Sequence, residues 1–211
     1  MKEISWICFD VGETLVDEKK SYLNYATRCR HQLATKNIEV SPSTYLKMIE
    51  NNYKQNEKRP LYATWEAFNS GDQRPKWQHV NESLYPDVRE TLHLLSRKYK
   101  LGVIANQGVG LKERLTSFEI LDYFSLIVSS SDVNIKKPDP EIFKIALEKA
   151  NVKASSAVYI GDRVDNDMIP AKQLGMKTIR IKQGMAKFQS ESLLYPSDFI
   201  ISDFSELLDI L

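Results

Sequence analysis

Six short runs of apolar, β-branched and aromatic residues recur along the chain, at residues 4–9, 101–105, 126–128, 157–160, 178–181 and 199–201. None alternates with polar residues as a strand with one wet face would, so each predicts a strand buried on both sides. From the second run onward, helical spacing fills the intervals. Val88, Leu92, Leu95 and Tyr99 fall on one face, as do Phe143, Ala146, Leu147 and Ala150. Strand alternating with helix predicts an α/β fold, a Rossmann-like parallel sheet covered by helices. A last helix, capped by Ser202 and running through Leu207, Leu208 and Leu211, is expected to close the sheet.

The rhythm breaks once. From 18 to 82 no buried strand run occurs and helical periodicity dominates, which predicts an inserted all-helical cap domain at 18–82 and an α/β core at 1–17 and 83–211. Its first helix places Tyr22, Ala26, Cys29 and Leu33 on one face, and a second begins at Ser41-Pro42, an N-cap followed by proline at the first helical position. Shorter helices are expected to hold Trp65 with Phe68, and Trp77 with Val80 and Leu84.

Composition narrows the classes. The 211 residues are 42% hydrophobic and 27% charged with a net charge of +1, which lacks the basic excess that drives nonspecific nucleic-acid binding. No run approaches the roughly 18 apolar residues of a membrane span, and the N-terminal run has no secretory cleavage pattern. Two cysteines, Cys8 and Cys29, give neither a disulfide framework nor metal-ligand spacing and are expected as packed thiols. A cytoplasmic protein, monomeric or weakly self-associating, is the expectation. The insertion carries eleven Lys and Arg against seven Asp and Glu, a solvated helix surface or, alternatively, a lid that attracts an anionic substrate.

Candidate chemistry gathers where ligands bind in an open parallel sheet, beyond the carboxyl ends of the strands. The first strand ends at Asp10 and the second at Ala105-Asn106-Gln107-Gly108. The third is followed by Lys136-Lys137-Pro138, and the fourth ends at Gly161-Asp162 with Asp165 and Asp167 close behind. Each segment alone reads equally well as a turn or a helix cap. Together they bring carboxylates, a lysine and a small-residue loop to one edge from distant parts of the sequence.

In this order and spacing, "FDVGETLVD", "YPDVRETLHLLSRKYKLGVIANQG", "KKPDPEIF" and "GDRVDNDMIPAKQLGM" resemble the haloacid dehalogenase-like hydrolases, in the branch with a helical cap after the first strand. The resemblance implies a Mg²⁺-dependent phosphatase of a small phosphorylated metabolite. Asp10 would be the nucleophile, forming an aspartyl-phosphate that water cleaves. Mg²⁺ would be held by Asp10, the Gly12 carbonyl and Asp162, with Asp167 assisting. Lys137 would steady nucleophile and phosphoryl group, and Asn106 and Gln107 would bind phosphate.

Two positions depart from the family pattern. Gly12 stands where its phosphatases usually carry a second Asp, the acid that protonates the leaving oxygen, and Ala105 where they carry a Ser or Thr. General acid-base catalysis contributes about 10²–10⁴ in rate, so an unreplaced acid predicts a preference for leaving groups that need little protonation. Glu13 alternates to the opposite side of an extended chain, which leaves a water or a cap residue as other substitutes. Two alternatives stay open: a dehalogenase of small haloacids, which the acidic fourth motif argues against, and a non-catalytic Mg²⁺- and phosphate-binding protein. Tyr22, Tyr25, Trp65, Trp77 and Arg59 are candidates for the cleft or for the core of the cap.

Overall fold

The computed structural model describes residues 4–69 and 71–211, so the first three residues of the expected core and Ser70 of the insertion lie outside it. The strands are β1 (Trp6–Phe9), β2 (Val16–Asp17), β3 (Ser83–Leu84), β4 (Lys100–Ala105), β5 (Phe124–Ser129), β6 (Ala157–Gly161), β7 (Lys177–Ile181) and β8 (Phe199–Ile201). Six of them form one sheet in the order β5-β4-β1-β6-β7-β8, every adjacent pair parallel. The six predicted runs are these six strands.

Both faces of the central strands β1, β4, β6 and β7 are buried. The edge strand β8, expected to be buried on both sides, instead exposes Phe199 and Ile200 because no strand pairs beyond it. Within β1, Ile7 and Phe9 join one core cluster while Trp6 and Cys8 join the other. The first cluster takes Val88, Leu92 and Leu95 of α4 (Val88–Ser96) and Leu111 and Leu115 of α5 (Leu111–Ser117). A one-turn α6 (Ser130–Val133) follows β5. The second cluster takes Ile142, Phe143, Ala146 and Leu147 of α7 (Glu141–Ala150) and Ala171 of α8 (Ile169–Gln173). Burying each Leu, Ile or Phe stabilises by about 1.5–3 kcal/mol, which ties the helices to the sheet.

The insertion contributes α1 (Lys19–Ala34), α2 (Pro42–Lys54) and α3 (Pro60–Glu66). Ser41 caps α2 by accepting from the Thr44 amide at 3.1 Å. The helices share a third cluster in which Tyr22, Ala26, Cys29 and Leu33 meet Tyr45, Ile49 and Trp65. Ala186 and Met185 of the core complete it, so the insertion also rests on the segment after β7.

Three expectations change. Residues 72–80 form no helix, and Trp77 reaches the Tyr22 and Tyr25 rings from an irregular segment. Side chains of α1 take up backbone carbonyls of this segment instead: Arg28 donates to the Lys76 carbonyl and Gln32 to the Gln73 carbonyl, both at 2.8 Å. Leu84 belongs instead to β3, which pairs antiparallel with β2. At the C-terminus Asp203, not Ser202, forms the capping box with Glu206, and α9 (Leu207–Ile210) buries Leu207 while Leu208 is exposed.

Candidate active site

Strand order reverses beside β1: the chain runs out through β4 and β5 on one side, then crosses back to β6, β7 and β8 on the other. A crevice opens there at the carboxyl edge, and Asp10 stands directly beyond β1 with its amide bonded to the Ile160 carbonyl at 2.9 Å. Asp162 follows β6. A wide turn over Val164–Met168, in which the Met168 amide bonds back to the Arg163 carbonyl at 3.2 Å, swings Asp167 inward. Gly161 makes room for it, since a Cβ there would lie 2.6 Å from Asp167 Oδ2.

Lys137 joins these segments. Its Nζ lies 2.8 Å from Asp10 Oδ1 and 2.6 Å from Asp167 Oδ1, and donates to the Tyr159 hydroxyl at 2.8 Å. All three ammonium protons therefore have acceptors. One oxygen each of Asp10, Asp162 and Asp167 lie within 4.8 Å of one another, a set that could hold a metal ion. Burial and the Asp167 and Asp10 charges push the Asp162 carboxyl well above its usual range. Burial likewise raises Asp167, against the pull of Lys137, to about 6. Burial alone would lower Lys137, but Asp10 and Asp167 outweigh it and hold its pKa above the ordinary value. One lysine cannot balance three carboxylates, so the trio favours a cation.

The loop after β4 departs from the sequence expectation in detail. Asn106 spends its side chain on the Lys137 backbone, accepting from its amide at 2.7 Å and donating to its carbonyl at 2.8 Å. The Gln107 amide bonds to the Ala105 carbonyl at 3.1 Å, and its side chain accepts from Arg114 at 3.0 Å. These residues fix the lysine and the loop, and the Asn106 amide has no backbone hydrogen-bond partner among the described residues. Asp165 faces Arg163 and Gln189 rather than the trio.

Sequence reasoning missed a group beside Gly12. The chain after Asp10 folds back in one turn, with the Leu15 and Val16 amides both bonded to the Val11 carbonyl, and β2 returns it toward its start. The Glu18 carboxylate comes to rest where a side chain at position 12 would stand: a Cβ on Gly12 would lie 2.7 Å from Glu18 Oε2. Arg114 of α5 donates to Glu18 Oε1 at 2.8 Å and to Glu82 Oε2 at 2.6 Å, clamping both chain crossings of the insertion. Burial raises the Glu18 pKa, outweighing the Arg114 charge. Glu13 turns elsewhere, accepting a hydrogen bond from Tyr85, and burial pushes its pKa up to about 8.

The cavity over Asp10 measures ≈ 800 Å³, a size suited to a small metabolite. Of the aromatic candidates, Tyr22 and Trp77 line it; Tyr25 and Trp65 pack in the insertion's core, and Arg59 lies over the Tyr62 ring. Among the described residues no helix is long and apolar enough to cross a membrane, and both cysteines are buried free thiols.

A family model described as haloacid dehalogenase-like hydrolase matches residues 7–181. A glyceraldehyde 3-phosphate phosphatase of Pyrococcus furiosus is 30% identical over the whole chain and 94% of its own length. The enzyme of the same name from Methanocaldococcus jannaschii is 40% identical over 60% of the chain, an alignment spanning 55% of that relative. The crystal structure of a HAD phosphatase from Thermococcus onnurineus superposes with a TM-score of 0.66 at 21% identity, covering 98% of this chain and 97% of that one.

Proposed function

The chain belongs to the haloacid dehalogenase-like hydrolases, and from that premise we propose that it is a Mg²⁺-dependent phosphatase of a small phosphorylated metabolite. The observation that carries the reading is the Lys137 ammonium shared between Asp10 and Asp167 at 2.8 and 2.6 Å, with Asp162 beside them, on the floor of the cleft. Relatives named for a triose phosphate support a substrate of comparable size.

Asp10 is the nucleophile of this reading. Lys137 fixes one oxygen of its carboxylate, leaving the other for attack on phosphorus. The carboxylates of Asp10, Asp162 and Asp167, with the Gly12 carbonyl, are hard oxygen donors that suit Mg²⁺. When bound, the ion supplies charge neutralisation between a phosphate dianion and this acidic trio. The Asn106 amide is the phosphate donor of the β4 loop, and Asn106 and Tyr159 act on the reaction through the lysine they hold.

Steady-state hydrolysis of p-nitrophenyl phosphate and a triose phosphate, with Mg²⁺ and with EDTA, tests the assignment. Turnover should require Mg²⁺ and disappear in Asp10→Asn. Lys137→Ala should lose about 10²–10³-fold, as removal of a transition-state charge partner does. Wild-type turnover in purified Asp10→Asn would refute the nucleophile.

A further inference from the structure

The reaction proposed above expels an alkoxide, which is a poor leaving group without a proton, and residue 12 has no side chain to supply one. The acidic groups lining the cleft are few. Asp10 is the nucleophile, and Asp162 and Asp167 are gathered around Lys137 and the proposed ion. Glu13 lines the wall, but its carboxylate accepts from Tyr85 and packs over Gly184. His79 of the insertion is bonded to Glu82 at 2.8 Å on the exposed rim. Glu18 differs from all of these. Arg114 anchors its Oε1, whereas its Oε2 has no hydrogen-bond partner among the described residues and lies 2.7 Å from where a Cβ of residue 12 would be.

We infer that Glu18 takes the place of the missing side chain at position 12, as the acid and base of the phosphatase reaction. The inference rests on the phosphatase reading. In the first step an Asp10 oxygen bonds to phosphorus as the ester P–O bond breaks, and the departing electron pair takes the Glu18 carboxyl proton, releasing an alcohol. In the second, water attacks phosphorus while giving a proton to the Glu18 carboxylate. The bond between phosphorus and Asp10 then breaks, freeing inorganic phosphate and restoring Asp10 as a carboxylate and Glu18 as an acid.

The placement has a mechanical consequence. Glu18 is the residue directly before α1, so its carboxylate is carried by the point where the chain enters the insertion. Arg114 belongs to the core and grips Glu18 and Glu82 together. The proton-transfer group is thus set by the same contact that fixes the insertion over the cleft.

The test compares wild type, Glu18→Gln, Glu13→Gln and His79→Asn on p-nitrophenyl phosphate, whose leaving group needs no proton, and on glycerol 3-phosphate, whose leaving group does. Glu18→Gln should lose about 10²–10⁴-fold in kcat/KM on glycerol 3-phosphate and far less on p-nitrophenyl phosphate. Rapid mixing of this variant with p-nitrophenyl phosphate should release one p-nitrophenolate per enzyme in a burst before slow turnover, because phosphoenzyme hydrolysis then lacks its base. An equal loss on both substrates without a burst would overturn the inference, as would the selective loss appearing in Glu13→Gln or His79→Asn instead. If Glu18→Gln does not fold, Gly12→Asp in a Glu18→Ala background decides. Recovery of glycerol 3-phosphate turnover at least tenfold above Glu18→Ala supports the assignment, and no recovery refutes it. Wild type inactive on both substrates would sink the phosphatase reading itself, whereas active wild type with an unaffected Glu18→Gln would sink only this inference.

Discussion

At the scale of single residues, Tyr159 is the group whose chemistry was hidden by its surroundings. In the sequence it sits in an apolar strand and reads as core, and its ring does pack edge-on against Phe143, 4.9 Å between centroids. Its hydroxyl, however, accepts from Lys137 and donates to the Ile104 carbonyl, each at 2.8 Å. Tyr159→Phe keeps the ring and removes both bonds, leaving one ammonium proton and one buried carbonyl unsatisfied. Such losses cost about 1–3 kcal/mol per group. The variant should therefore unfold at lower urea, and a less firmly held Lys137 should lower kcat roughly tenfold, the equivalent of about 1.4 kcal/mol. Unchanged urea midpoints would mean that the hydroxyl contributes nothing to the lysine's placement.

Among the elements, the segment after β7 is held by one arginine. Arg180 is buried and donates to the Asp162, Ala186 and Gln189 carbonyls and to the Glu191 carboxylate, thereby fixing both the insertion's resting place and the backbone beside the site. Burial would raise the Glu191 pKa, but hydrogen bonds from Arg180 and Ser197 outweigh it and hold the carboxyl below its usual range. A depressed folded pKa contributes stability that is present above the ordinary carboxylate range and lost as pH falls through the folded value. Glu191→Gln should thus cost about 1.5–3 kcal/mol at neutral pH, measured by urea denaturation. The difference from wild type should shrink below about pH 4. The main strands, α1 and the Ser41 cap of α2 were legible because periodicity and capping are local. β2 and β3 were not, since strands of two residues carry no period. The Trp77 segment has helical apolar spacing, but its backbone carbonyls bond to Arg28 and Gln32 of α1, a tertiary contact that spacing does not encode. Gly12 and Glu18 stand six positions apart, yet their meeting depends on the tight turn between them, which no spacing rule encodes.

For the whole molecule, the acidic trio couples stability to pH and to metal. All three carboxylates belong to the α/β core, and Lys137 supplies one positive charge against them. Burial and mutual repulsion raise Asp162 well above the usual range and Asp167 to about 6. A carboxyl raised in the folded state stabilises below its unfolded pKa and loses that contribution as pH rises through the folded value. Without metal, the thermal midpoint should fall as pH climbs from about 4 through 6 and beyond. Mg²⁺ should reverse the trend by displacing those protons, and at a hundredfold excess over Kd it adds about 2.7 kcal/mol. Asp162→Asn removes one of the repelling charges, so at pH 8 in EDTA it should melt above wild type. With saturating Mg²⁺ the order should invert, because the variant has lost a ligand that the wild type uses. Scanning both proteins by calorimetry in EDTA and in Mg²⁺ separates this account from a purely structural role for Asp162. A structural residue would lower the midpoint in both conditions, whereas a metal ligand held against repulsion raises it in one and lowers it in the other.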